Sequence, residues 1–118
     1  MAEYILREYR REDFPRLVKL WRDIFGDPEE LISAFLQVLP AFGTGAVAER
    51  EGLAVGAAYA IDGMDICDGR GGKSRCGYIY AVAVSPEHRH QGLGAALSRR
   101  AAEAMVYDEE EDAFAFPL

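Results

Sequence analysis

The sequence has little cysteine, no long apolar run and no excess of positive charge, and each shortage closes off a class of function. Cys67 and Cys76 are its only cysteines, with eight residues between them, no Cys-x-x-Cys spacing and no histidine pair nearby. Tetrahedral metal sites need several such ligands in register, so no metal is expected, and free thiols are a simpler reading than a disulfide. No apolar stretch approaches the ~18 residues of a membrane span. The opening Met-Ala-Glu-Tyr-Ile-Leu-Arg-Glu also lacks the basic and apolar segments of a secretory signal, so a soluble, cytoplasmic protein is expected. The formal net charge is -7, which opposes general binding to nucleic acid or to anionic membranes. Any anion site has to be local.

What is present suffices for one domain over residues 1–118, with half of its residues hydrophobic. Tyr4 to Tyr9 reads as a first strand. Asp13 is placed to cap a helix with Pro15 in its first turn, and Phe14, Leu17, Val18, Trp21, Ile24 and Phe25 follow the three-four spacing of one helical face. Gly26 ends that helix. Asp27-Pro28 opens another, in which Leu31, Ile32, Phe35, Leu36 and Leu39 repeat the spacing up to Pro40. Two strand-like runs follow, Gly45 to Glu49 and Leu53 to Ile61, joined by the turn Arg50-Glu51-Gly52. Their small residues, among them Ala46, Ala48, Gly56 and Ala58, would let a helix or ligand lie close. Residues 62–77 read as a loop rich in glycine and aspartate. A strand at 78–84 and a helix from about Gly92 to Tyr107 come next, with Leu93, Leu97, Ala101, Ala104 and Met105 on the helix's buried face. The acidic run Asp108 to Asp112 should end the helix, since carboxylates are unfavourable at its negative end, and Ala113-Phe-Ala-Phe-Pro-Leu118 reads as a last strand. The predicted order is β-α-α-β-β-β-α-β in one α/β fold with a mixed sheet.

The chemistry concentrates in Tyr78-Ile-Tyr-Ala-Val-Ala-Val-Ser-Pro-Glu-His-Arg-His-Gln-Gly-Leu-Gly-Ala-Ala-Leu97. A strand passes through a basic turn into a helix, and amides at a helix start lack intrahelical acceptors while facing the positive end of the dipole. Glycines at 92 and 94 allow close approach of a phosphate to the backbone, and Arg89 adds a permanent charge. A dinucleotide-binding fold would want Gly-x-Gly-x-x-Gly early in a βαβ array, whereas this loop comes late and follows two consecutive helices. Gly72-Lys73-Ser74 looks like the end of a nucleotide-binding loop, but Cys67 stands where that pattern needs glycine.

Through Ala81-Val-Ala-Val84, Pro86, Arg89 and Gly92-Leu-Gly94, with the order of elements from Tyr4 to Phe116, the chain resembles the GCN5-related N-acetyltransferases. The resemblance implies a GNAT-like fold and acetyl-coenzyme A as cosubstrate. It implies that the backbone of Val82, Ala83 and Val84 pairs with the pantetheine arm, and that amides of Arg89, His90, Gln91, Gly92, Leu93 and Gly94, with Ala95 at the rim, hold the pyrophosphate. The implied reaction is acetyl transfer to a primary amine of a small molecule or peptide. The alternative is a weakly active or inactive coenzyme-binding module of the same fold that needs a missing segment or partner.

Catalytic groups are harder to name. A backbone amide near Val82 is the implied oxyanion donor, and Tyr80, alternating with Tyr78 and Val82 on one strand face, is the candidate side chain, although an aromatic there is more often packing. Asp62, Asp65 and Asp68 could attract a cationic amine, while Glu87, His88 and His90 read as surface residues of the turn. Family members continue past the fifth strand with a helix that carries a tyrosine acid and with a hairpin, and Tyr107 does not match that tyrosine. An exposed last strand is then expected, with a second copy of the chain as its partner.

Overall fold

The computed structural model describes residues 3–67, 69, 71 and 73–104, with the backbone alone at 63–67 and 73–76. Four strands form one antiparallel sheet in the order β1-β2-β3-β4, namely β1 (Ile5–Glu8), β2 (Gly43–Arg50), β3 (Leu53–Cys67) and β4 (Lys73–Val84). Helices α1 (Phe14–Phe25) and α2 (Glu29–Val38) lie between β1 and β2 in the chain, and α3 (Leu93–Ala104) follows β4. Among the described residues no helix is long and apolar enough to cross a membrane. The expected last strand and the acidic run before it lie outside the described residues, and so does the surface through which a second copy was expected to pair.

The sheet is buried on both faces, by different means. On one, Leu17, Leu20 and Trp21 of α1 and Ile32 and Leu36 of α2 pack on Val47, Ala57, Tyr59 and Ala83. On the other, Leu93, Leu97 and Ala101 of α3 lie on Ala46, Ala48, Val55, Ala58 and Ala60. Small sheet residues let α3 approach closely, and a Cβ on Gly56 would stand 2.9 Å from Leu97 Cδ1. The helical spacing overstated two positions: Leu31 is exposed, and Phe25, at the last turn of α1, is 47% exposed.

Asp13 does not cap α1 with its side chain. Its carboxylate turns back across a 3-10 turn (Arg11–Asp13), accepting from the Arg10 N–H at 2.7 Å and from both terminal nitrogens of Arg7 at 2.8 Å. The Arg7 guanidinium therefore holds the Asp13 carboxyl below the usual range.

Within the expected loop at 62–77, residues 62–67 and 73–77 do not form a loop. They are strand, because β3 and β4 extend into a long hairpin with Asp65 opposite Arg75 and Cys67 opposite Lys73. Composition pointed to turns, but ladder pairing to a partner strand overrides the weak propensity of aspartate and glycine. In this register Cys76 faces Met64, three rungs from Cys67. Three rungs are about 10 Å, beyond the Cα span of a disulfide.

The β2–β3 connection follows the sequence closely. Glu51 and Gly52, with φ of 53° and 80°, make a two-residue turn of the kind that continues the strand twist.

Candidate functional site

The site is built on a defect in β4. Tyr80 pairs with Tyr59 and Ala83 with Ala57, so Ala81 and Val82 together stand against the single residue Ala58. This is a β-bulge, and Ala81 takes a left-handed φ of 53° to make it. The extra residue reverses the alternation of side chains. Tyr80 packs on the α1/α2 face, its ring 5.7 Å from Trp21 and 5.6 Å from Phe35, while Val82 and Val84 join the cluster under α3. Tyr80 and Val82 are thus on opposite faces, contrary to the simple period of two.

The bulge also decides which backbone groups are available. Ser85 N–H donates to the Val55 carbonyl at 2.8 Å, which makes Ser85 and Val55 a hydrogen-bonded pair. Alternation along an antiparallel ladder then turns the groups of Ala83 toward β3 and those of Val82 and Val84 toward the outer edge. Among the described residues β4 is the terminal strand on that side. Of the three residues expected to meet an extended ligand, Val82 and Val84 are oriented for it, whereas Ala83 serves the sheet. The Val84 carbonyl already accepts from Arg89 Nε at 2.9 Å, a bond that holds the exposed arginine alongside the strand.

From Val84 the chain enters a short 3-10 turn (Pro86–His88), closed by the His88 N–H to the Ser85 carbonyl at 2.9 Å. His90 and Gly92 then take positive φ, 64° and 79°, and the Gly92 carbonyl accepts from Ala96 N–H at 3.1 Å. Gly92 is therefore the N-cap of α3. The amides of Leu93, Gly94 and Ala95 occupy its first turn, where the helix itself supplies no acceptor. With Arg89 and the helix dipole beside them, these amides are groups that can receive an anion on an otherwise acidic chain.

Gly94 is the informative glycine. A Cβ there would meet only Val82 Cγ1, at 3.7 Å, which is ordinary contact. Among the described residues nothing requires glycine at this position, and glycine in a helix costs roughly 0.5–1 kcal/mol against alanine. Its absent side chain instead leaves the crevice between α3 and β4 open to a ligand that must touch the backbone, as a pyrophosphate would. That crevice is a cavity of about 320 Å³ whose lining includes Phe25, Val82, Val84, Arg89, Gly92 and Gly94. A second cavity of about 350 Å³ shares Phe25 and Val82 with it and continues past the bulge to Trp21, Ala81 and Tyr80. Together they make one groove along the edge of β4, basic and glycine-lined at one end, aromatic at the other. A larger hollow of about 670 Å³, with Glu8, Arg11, Gln37 and Thr44 in its lining, lies on the β1–β2 side and has no part in this groove.

Several residues of the site carried no usable signal in the sequence. His88, read as a surface residue, is half-buried. Its Nδ1 lies 2.9 Å from the Tyr4 hydroxyl, which also donates to Gln91 Oε1 at 3.3 Å. The rings of Tyr4 and His88 meet edge to face at 5.6 Å. Tyr4 thus braces the loop from 84 residues away, a contact no local pattern could reveal. Phe25 lay on the expected core face of α1. Only the helix stop at Gly26, with φ of 77°, places it at the groove rim. Glu87, His90 and Gln91 are exposed around the loop. Of the acidic residues considered for the acceptor side, Asp62 donates its N–H to the Phe42 carbonyl at 2.7 Å, Asp65 is in β3, and Asp68 lies outside the described residues.

A family model described as "Acetyltransferase (GNAT) family" matches residues 3–109. Similar solved structures include aminoglycoside N-acetyltransferase AAC(6')-Iy in complex with coenzyme A, 17% identical with a TM-score of 0.76, the match covering 100% of this chain and 78% of that one. An acetyltransferase of Trypanosoma brucei is 20% identical with a TM-score of 0.71, over 98% of this chain and 83% of the other. These two likenesses speak to the fold. The GCN5-related glucosamine N-acetyltransferase region of a fungal multi-domain GH3 β-N-acetylglucosaminidase is 26% identical with a TM-score of 0.69, over 88% of this chain. The chain spans 12% of that larger protein. No curated protein matches the sequence significantly.

Proposed function

The chain belongs to the acetyltransferase (GNAT) family, and we propose that at the outer edge of β4 it passes the acetyl group of acetyl-coenzyme A to a primary amine of a small molecule or protein. Acetyl transfer is the activity of the family, and acetyl-coenzyme A is the cosubstrate it implies. The assignment of residues rests on one observation above the others: the bulge at Ala81, the outward backbone of Val82 and Val84 and the glycine-lined start of α3 line two adjoining cavities that share Phe25 and Val82.

In this reading the amides of Leu93, Gly94 and Ala95 hold the pyrophosphate, and the loop from Arg89 to Gly92 wraps its outer side. Val82 and Val84 offer backbone groups to the pantetheine arm as a strand partner would. Ala83, first expected among these contacts, supports them by anchoring β4 to β3. The Val82 N–H, set at the bulge and facing the edge, is the donor for the oxygen that gains charge when the amine attacks. Such a donor is worth most when it is fixed in place beforehand, and the bulge fixes it. Tyr80 stands at the acceptor end, where its ring rests on Trp21 and Phe35.

Release of free coenzyme A in the presence of an amine panel tests the reading. Amine-dependent release is expected from the wild-type chain and loss of it from Gly92→Glu, which places a carboxylate at the N-cap of α3. A Gly92→Glu protein that folds and releases coenzyme A at the wild-type rate would move the site elsewhere.

A further inference from the structure

The end of the groove beyond the bulge differs in chemistry from the end beside α3. Its cavity of about 350 Å³, within the range of small-molecule sites, is lined by Trp21, Phe25, Tyr80, Ala81 and Val82. Three of these five side chains are aromatic and the other two aliphatic. The aromatic wall is also rigid. Trp21 donates its indole N–H to Asp27 Oδ2 at 2.8 Å, and its ring centroid lies 5.1 Å from Phe35 and 5.3 Å from Tyr59. Tyr80 leans on this assembly, 5.7 Å from Trp21, yet keeps 47% of its surface exposed. Phe25 is exposed to the same degree and is held at the end of α1 by the Gly26 N–H, which donates to the Arg22 carbonyl at 2.8 Å. Two large rings therefore present open surface around a pre-built floor, next to the strand position where the acetyl group is to be attacked.

We propose that the acceptor is a primary amine carrying a flat apolar group, an arylalkylamine, whose ring lies between Phe25 and Tyr80 while its nitrogen reaches the bulge at Ala81–Val82. The inference rests on the acetyl-transfer reading above and names the substrate class of that site. Stacked and edge-on ring contacts favour such a group, and its burial needs no hydrogen-bond partners. A polyhydroxylated amine would instead bring several hydroxyls against side chains of which only Tyr80 has a hydroxyl free to pair with them, and each polar group left unpaired opposes binding. The chemistry is ordinary aminolysis of a thioester. The neutral amine nitrogen forms a bond to the acetyl carbon, the carbon–sulfur bond breaks, and the sulfur leaves with the electron pair and takes up the proton released by nitrogen. The products are the N-acetyl amine and coenzyme A thiol.

The test compares initial rates of coenzyme A release for 2-phenylethylamine, ethanolamine and glucosamine, with acetyl-coenzyme A saturating. It is accompanied by titration of each amine into the protein with bound coenzyme A, followed by fluorescence of Trp21, the single tryptophan of the chain. The expected result is a kcat/KM for 2-phenylethylamine at least tenfold above those of the other two amines. A saturable change in Trp21 emission is expected with 2-phenylethylamine alone. In Phe25→Ala the ratio of kcat/KM between 2-phenylethylamine and ethanolamine should fall about tenfold. Because Phe25 also touches the coenzyme end of the groove, the ratio is the quantity read, and a change common to both amines cancels from it. Equal rates for the three amines, or a faster reaction with glucosamine, overturn the aromatic assignment while leaving acetyl transfer intact. Absence of acetyl-coenzyme A binding in a direct titration overturns both.

Discussion

Replacing Gly94 by alanine should push stability and coenzyme binding in opposite directions. The backbone at Gly94 is helical, and the added Cβ meets Val82 Cγ1 at 3.7 Å, so the folded chain accepts the methyl without rearrangement. The unfolded chain, however, loses conformational freedom. A gain of roughly 0.5–1 kcal/mol is expected, as for glycine-to-alanine changes at unstrained helical positions. For a domain of this size that corresponds to a rise in Tm of about 2–4 °C. The same methyl projects across the crevice between α3 and β4, between the first-turn amides and any phosphate they would hold. Loss of one hydrogen bond to a charged group is worth about 1.5–3 kcal/mol, or roughly a 10- to 100-fold weaker affinity for coenzyme A. Thermal melts followed by circular dichroism give the first quantity and calorimetric titration gives the second. A variant that is more stable and binds coenzyme A as well as wild type would refute the placement of the pyrophosphate against Gly94. A less stable variant would refute the account of the glycine as a residue the fold does not require.

Three further changes probe the sheet, the turn before α1 and the loop before α3. Gly43→Ala sets a Cβ against the Ala60 carbonyl oxygen, a backbone atom that cannot move aside, so a loss of about 3 kcal/mol and a sharply lower denaturation midpoint are expected. Arg7→Leu leaves the carboxylates of Asp13 and Glu49 without the guanidinium that now bonds both, at 2.8 and 2.9 Å. Because the cluster keeps some access to water, the expected loss at neutral pH is about 2 kcal/mol, less than for a fully buried pair. The Asp13 carboxyl is depressed in the folded state, so this stabilisation is complete above about pH 4 and is lost as the pH falls through the folded value. Urea melts in a series from pH 7 down through pH 3 should therefore show the full gap between wild type and Arg7→Leu at neutral pH and a gap that narrows steadily below about pH 4. Tyr4→Phe removes the hydroxyl shared by His88 and Gln91, and coenzyme A affinity should fall about fivefold, the worth of roughly 1 kcal/mol, with little change in Tm.

The elements of the fold were legible where side-chain periodicity carries the information. Leu17, Trp21, Ile32, Leu36, Leu93 and Leu97 all lie where helical spacing put them. The alanines of β2 and β3 do form the close bed for α3 that their size suggested. Gly92 and Gly94 do stand at the start of α3, where the sequence displays them directly because a glycine is a backbone feature. Three things did not show.

The hairpin extension over residues 62–77 depends on pairing between strands, and aspartate and glycine give no local sign of it. The bulge at Ala81 is made by an alanine in a left-handed conformation, inside a run that reads as an uninterrupted strand. Its position is set by the register of β3 on either side rather than by Ala81 itself. That single residue decides which face carries Tyr80 and which backbone groups reach the edge. The Tyr4 brace joins residues 84 apart in the chain and exists only once β1 and the loop after β4 have been brought to the same side of the molecule.

The most direct test of the central claim is a calorimetric titration of acetyl-coenzyme A into the wild-type chain and into Gly92→Glu, with ATP titrated in parallel. One saturable site for acetyl-coenzyme A in the wild type, its loss in the folded Gly92→Glu protein and no comparable site for ATP are the results expected. No binding of acetyl-coenzyme A at millimolar concentration, or equal binding by the two proteins, would contradict the assignment of the β4 edge and the start of α3 as the coenzyme site.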